Sequence, residues 1–390
     1  MTAQAWAVAT MPLALLLTAA TVAQERTEWR VNTELQGLPL RSTVDSELAY
    51  YTLTDYLQGR RTRPEFDARL DAAAQQLDAA AGRETLRAIA RDTSADTAVA
   101  LFAAQLLAEP RNHELRIRFE QELAALQDTS AAALPDALKQ KVLLLLVPGW
   151  LYEIQPETGA DFARARRVLD AQGLKHELAR TNERGTIEEN ARIVADEIER
   201  HSRKYRALIL VSASKAGPEV GEALSRLERE DRAHSARAWV NIGGILQGSP
   251  LADWAARWPQ RGLVGMIAPF KGWTLSSIDS MRTAPNRARF ERWRLPPDLR
   301  VVNYLGVPFS GDITGGGNFG YPRILPEGPN DGLTLLPDAL VPGGQTLVTL
   351  GLDHYYLDPR LDQKTVALTR LLLRELESSA TDHSDTRGKR

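Results

Sequence analysis

From Lys141 onward the chain alternates short apolar runs with stretches of mixed character. Val142-Leu-Leu-Leu-Leu-Val147 is apolar at every position and stops at Pro148-Gly149. A run without alternation predicts a strand buried on both faces, as in a parallel sheet. Ala160 to Ala171 reads as a helix and His176 to Arg180 as a strand. Thr186 to His201 reads as a helix, with Thr186 and Glu189 spaced as a capping box. Ala207 to Val211 predicts the next buried strand, Lys215 to Glu228 a helix, and Ala238 to Ile242 another strand. Arg300 to Leu305 and Gln345 to Leu350 predict two more strands, and Asp362 to Ser378 a closing helix. Strand and helix in turn at this spacing predict an α/β fold, mainly a parallel sheet with helices on both faces.

The chain before Lys141 has a different pattern. Thr27 to Leu138 reads as mostly helical, with apolar residues three and four apart and prolines at 64, 110 and 135. It carries no recognisable chemistry and is read as a helical accessory region over residues 24–138, ahead of an α/β domain over 139–378. Within that domain, Trp254 to Trp293 is less regular, and residues 254–295 are a candidate lid. The polar tail, residues 379–390, is expected to be disordered.

Ala5 to Ala23 has no charged residue, and Thr21-Val22-Ala23 offers small residues where a signal peptidase cuts. Residues 1–23 are read as an export signal, with an uncleaved anchor as the other reading and a start at Met11 as a third. The expected location is periplasmic or extracellular, with membrane association through residues 5–23 if that segment is retained.

Composition narrows the chemistry. The chain has 390 residues, 43% hydrophobic, and a formal net charge of −2, so no basic surface for nucleic acid is expected. The absence of cysteine removes disulfides, thiolate catalysis and cysteine–zinc sites, and six scattered histidines make a dense metal cluster unexpected. Neither a metal nor a cofactor is expected. The glycine-rich stretch Ser310 to Gly320 lacks the Lys-Ser/Thr ending of a phosphate loop and reads as a flexible loop near the active site.

The string that carries chemistry is Leu208-Ile-Leu-Val-Ser212-Ala213-Ser214-Lys215-Ala216-Gly217. A buried strand runs through a tight turn into a helix, with Ser214 at the apex. Such a turn holds the hydroxyl out of the sheet, beside the N–H groups that open the helix. The flanks two positions away must be small; here they are Ser212 and Ala216 rather than two glycines, and Gly217 adds a further position without a side chain. Ser249 is not a rival, because Pro250 follows it where an elbow needs a helix start.

Over about Val142 to Leu373 the chain resembles the α/β-hydrolase family of lipases and esterases. The resemblance implies a nucleophile, an acid and a histidine in that chain order. Asn330-Asp331-Gly332 resembles the turn that carries the acid in many such hydrolases, and His354 follows the last strand in Gly351-Leu-Asp353-His354. Asp331 is preferred over Asp312, Asp338 and Asp353 on its turn context. His354 is preferred over His113, His176, His201, His234 and His383 on its position. The resemblance also implies an oxyanion hole made by the backbone N–H groups of Lys215 and Trp150, although Pro148 stands where relatives carry histidine. The expected function is hydrolysis of carboxylic esters, hydrophobic or lipid-like. The competing reading is a non-catalytic binding protein on the same scaffold.

Overall fold

The computed structural model of the protein describes residues 29–79, 82–126 and 136–387. The segment read as a signal or anchor lies outside the described residues. The region predicted as helical opens with a hairpin instead: β1 (Trp29–Leu35) pairs antiparallel with β2 (Leu38–Val44). Its apolar residues recur every second or fourth position, so Val31, Leu35, Leu40 and Val44 are buried while Arg30, Asn32 and Arg41 face solvent. Gln36 and Gly37 both take positive φ, 49° and 83°, which is the two-residue turn that suits strand twist.

The helices Glu47–Thr54, Pro64–Ala79, Arg83–Asp92 and Ala95–Ala108 follow. Together with the hairpin they form one apolar core that also takes in Leu305, Val307, Phe309, Leu336, Ala339 and Val348 of the main domain. The N-terminal region is therefore packed on the main domain through shared side chains. The next helix, Pro110–Ala125, leaves this group to lie against the main sheet.

That sheet has six parallel strands: β3 (Val142–Val147), β4 (His176–Leu178), β5 (Ala207–Ala213), β6 (Ala236–Ile242), β7 (Arg300–Val307) and β8 (Gln345–Leu350). Their order is β4-β3-β5-β6-β7-β8. Alternate residues serve opposite faces, as a two-residue period requires. Val142, Leu144 and Leu146 pack with the helices Pro110–Ala125, Ala163–Ala171 and Leu361–Arg387. Leu143, Leu145 and Val147 pack with the helices Ile187–Ser202 and Ala216–Arg229. Each such leucine contributes about 1.5–3 kcal/mol through burial. β8 is an edge strand, and Asn112 caps it: the Asn112 Oδ1 accepts the Thr346 N–H at 2.6 Å.

Two further expectations change. The closing helix does not stop at Ser378 but runs to Arg387, through most of the segment expected to be a disordered tail. The irregular stretch around residues 254–295 resolves into the helices Pro250–Ala256, Gln260–Lys271, Leu275–Ser280 and Thr283–Phe290. A helix does start at Pro250, with proline in its first turn and Ser249 as its N-cap, accepting the Leu251 N–H at 3.2 Å. Ser249 is thus a capping residue, and Pro250 opens a helix rather than forbidding one. Among the described residues no helix is long and apolar enough to cross a membrane.

Candidate active site

β5 ends at Ala213 and the helix Ala216–Arg229 starts three residues later, with Ser214 in the turn at φ 55°. An L-residue in that left-handed region costs on the order of 1 kcal/mol, so its surroundings must hold it there. The Ser214 N–H donates to the Ile242 carbonyl at 3.1 Å, and its carbonyl accepts the N–H groups of Gly217 (3.0 Å) and Ile245 (3.2 Å). The turn is thereby tied to the exit of β6.

The flanks explain why two glycines are not needed. Ser212 is fully buried and its hydroxyl accepts the Trp239 indole N–H at 2.9 Å. Ala216 is fully buried too. The tight position is Gly217, where a Cβ would lie 2.8 Å from the Gly244 Cα and 2.9 Å from the Leu246 Cδ2.

Asp331 lies between β7 and β8, and His354 follows β8. The Asn330 Oδ1 accepts the Gly332 N–H at 3.0 Å, and Gly332 takes φ 99°. The Asp331 Oδ1 accepts the N–H groups of Leu333 (2.9 Å) and Thr334 (2.8 Å). Its Oδ2 faces the His354 Nδ1 at 2.8 Å, and the His354 Nε2 faces the Ser214 Oγ at 2.8 Å. Asp331 and His354 are both buried. Such a line lets the imidazole take the hydroxyl proton on Nε2 while the carboxylate fixes the Nδ1–H. Burial pulls the His354 pKa down, but Asp331 and, less strongly, Asp353 outweigh it, and the net shift is upward from 6.5.

The oxyanion candidates flank Ser214. Lys215 is the N-cap residue of the elbow helix, where the first N–H groups lack intrahelical acceptors. The Val147–Trp150 turn lies alongside: a Cβ on Gly149 would be 3.4 Å from the Ala213 carbonyl oxygen and 3.8 Å from the Ser214 Cβ. Gly149 commits its own N–H to the Ala160 carbonyl at 3.0 Å, which leaves the Trp150 N–H as this turn's candidate.

Sequence reasoning missed the Lys215 side chain. It is buried and ion-paired with Glu219, one helical turn on, whose Oε1 also accepts from the Asn190 amide at 2.8 Å. Burial pushes the Glu219 carboxyl above 4.5, against the pull of Lys215 and Asn190. The i, i+4 spacing of Lys215 and Glu219 is the one signal that was available.

The rival residues have other partners. Asp338 pairs with Arg83 at 3.0 Å and Arg287 at 3.3 Å. Asp312 accepts the Phe309 N–H at 2.9 Å. Asp353 accepts from the Thr314 N–H (2.8 Å), the Thr314 hydroxyl (2.6 Å) and the Tyr355 N–H (3.0 Å). The glycine-rich stretch expected to be flexible is therefore tied to the residue before His354. His176 faces Asp170, His201 faces Glu197 and His234 faces Glu228, while His113 lies beside Arg116, all away from Ser214. The His383 side chain lies outside the described ones. Among the described residues no cluster of His, Asp and Glu could hold a metal.

The four tryptophans of the irregular stretch go to different places. Trp273 lies 5.8 Å from Trp150, ring centre to ring centre, Trp254 packs edge-on against Phe319 at 5.5 Å, and Trp258 is 85% exposed. Trp293 packs on Gly221 of the elbow helix and belongs to the core below the sheet.

The parallel sheet, the Ser214 elbow and the strand-end loops define an α/β-hydrolase fold. The chain is similar to several solved structures. The metagenomic carboxyl esterase MGS0156 is 23% identical with a TM-score of 0.51, over 68% of this chain and 91% of that one. The mature Bacillus licheniformis lipase BlEst2 is 20% identical with a TM-score of 0.47, over 62% and 94% of the two chains. A RedJ thioesterase of Streptomyces coelicolor is 17% identical with a TM-score of 0.34, over 64% and 95%. No protein-family model and no curated protein matches the chain.

Proposed function

We propose that the protein is a serine hydrolase that cleaves carboxylic esters through an acyl-enzyme. The observation that carries this is the unbroken line from the Ser214 Oγ through His354 to Asp331, with both contacts at 2.8 Å. Its fold neighbour is named a carboxyl esterase, which agrees with the reading. The Ser214 Oγ attacks the ester carbonyl carbon as its proton passes to the His354 Nε2. The carbonyl oxygen becomes an oxyanion, held by the N–H groups of Lys215 and Trp150. The C–O bond to the alcohol breaks, and the alcohol leaves with the proton from His354. Water then attacks the acyl-serine and gives a proton to His354. The acid departs as the Ser214 oxygen regains that proton.

Apolar acyl groups are the favoured substrates. Trp150 and Trp273 pack against a cluster of Ile187, Ile245, Ala252, Val264, Ile278 and Met281 on the oxyanion side. Residues 1–23, outside the described residues, are taken as an export signal or anchor.

The test is a fluorophosphonate probe on the purified chain, with the adduct mapped by mass spectrometry. One adduct on Ser214, lost in His354→Ala, is expected. No adduct on folded protein would leave a binding protein on this scaffold. An adduct on another residue would mean that the nucleophile is misassigned.

A further inference from the structure

Five of the eight exposed large apolar side chains among the described residues fall between positions 258 and 270: Trp258, Leu263, Met266, Ile267 and Phe270. Trp258 is 85% exposed, Met266 66% and Phe270 90%. Four of them sit on the helix Gln260–Lys271 at i, i+3, i+4 and i+7, which puts them on one face. The opposite face, Val264 and Ala268, is buried, and Val264 joins the small core around Ile278 and Met281. The helix therefore keeps its smaller apolar residues inside and turns its larger ones outward, the reverse of what packing alone would select. A contiguous exposed apolar patch is a mark of an interaction site.

Charge says what kind of partner fits. From Trp254 to Ile278 the chain carries Arg257, Arg261 and Lys271 and no acidic residue. Arg261 is paired with Asp279 at 2.8 Å, while Arg257 and Lys271 stand exposed at the two ends of the patch. Nearby Asp253 faces Arg282 at 3.3 Å. Tryptophan and phenylalanine flanked by arginine and lysine form a surface that enters the headgroup region of a bilayer. Cations near an anionic leaflet strengthen such binding. A second copy of the chain fits less well, because two-fold pairing of this face would bring like charges together.

We propose that Trp258 and the helix Gln260–Lys271 dock on the surface of an anionic lipid bilayer. The inference does not rest on Ser214 chemistry, and its readout is binding. The full chain has no cysteine, so Phe270→Cys gives a single thiol for an environment-sensitive fluorophore. Vesicles of phosphatidylcholine alone are compared with vesicles that also contain phosphatidylglycerol. A blue shift with the anionic vesicles, weakened by salt, is expected. In co-sedimentation, the triple variant Trp258→Ser, Met266→Ser, Phe270→Ser is expected to bind the anionic vesicles about a hundredfold more weakly, since each side chain loses a favourable transfer. All three positions are exposed, so an unchanged melting temperature shows that the variant is folded. The N-terminal segment is present in both proteins and does not contribute to the difference. Equal binding by the variant, equal binding to the neutral vesicles, or no binding to either vesicle overturns the proposal. A shift that depends on protein concentration without vesicles also overturns it, in favour of a second copy.

Discussion

The two sides of the Ser214 elbow are built differently. On the β7–β8 side, Asp331 is hydrogen-bonded to His354 and to the Thr334 N–H, and Asp353, the residue before His354, accepts from Thr314 and the Tyr355 N–H. On the β3 side, the indole N–H groups of Trp150 and Trp273 are buried without a partner, and beyond them Trp258 and Phe270 stand in solvent. A buried N–H left unpaired costs about 1–3 kcal/mol. The first side holds a fixed geometry, which proton transfer needs. The second is an apolar wall with few directional bonds, which suits partners of variable shape. Changes on the first side should therefore act on the rate, and changes on the second on what is bound.

The largest expected effect tests the fixed side. In Asp331→Asn the side chain can still accept the Leu333 and Thr334 N–H groups, but it no longer stabilises the charged imidazole. Ester hydrolysis is expected to fall by about 10³–10⁴-fold with little change in melting temperature. A loss under tenfold would mean that the Asp331–His354 bond is structural.

The next effect is on stability. Lys215→Met leaves Glu219 buried without its cation and is expected to cost about 3–5 kcal/mol in urea unfolding. Adding Glu219→Gln is expected to recover most of that. Because Lys215 would serve the reaction through its backbone N–H, the double variant should keep most of its hydrolytic rate. Loss of rate with recovered stability would give the ammonium group a part in the reaction.

Both of these variants rest on residues whose legibility differed. Ser214, Asp331 and His354 could be read because each sits in a local pattern: a strand-to-helix turn, an Asn-Asp-Gly turn, and a loop after the last strand. The strand β3 was readable to the residue, since an apolar run with no break has one simple solution. The hairpin β1–β2 was not read, although Trp29 to Val44 alternates and contains Gly37, because the long Ala- and Leu-rich stretches after it dominate the periodicity. The buried side chain of Lys215 was invisible too. A lysine next to a glutamate one turn on is far more often a solvated pair, and only the packing of Asn190 shows otherwise. The tryptophans shared a segment but not a destination, because four short helices turn them in different directions.

The adaptable side predicts a smaller effect. Trp273→Ala removes the ring against Trp150 and is expected to lower kcat/KM for long-chain esters about tenfold, through KM, while leaving acetate esters nearly unchanged. Equal losses for short and long chains would place Trp273 in support of the Trp150 backbone rather than in the acyl wall.

The smallest effect stays on the fixed side and acts mainly through charge. In the proposed mechanism His354 must be neutral to accept the Ser214 proton. Burial lowers its pKa, and Asp331 followed by Asp353 raises it above 6.5, so the acid limb of activity is expected to sit higher than for an ordinary histidine. In Asp353→Asn one raising charge is removed and Asp331 remains. The folded pKa of His354 falls, the neutral form persists to lower pH, and the acid limb of kcat/KM moves to lower pH. The plateau should drop slightly as well, because an asparagine cannot accept both the Tyr355 N–H and the two Thr314 donors. A limb that stays in place would show that Asp353 acts only as the tether of the glycine-rich loop. A limb that moves up would mean that loosening this loop exposes the imidazole to water more than the lost charge lowers its pKa.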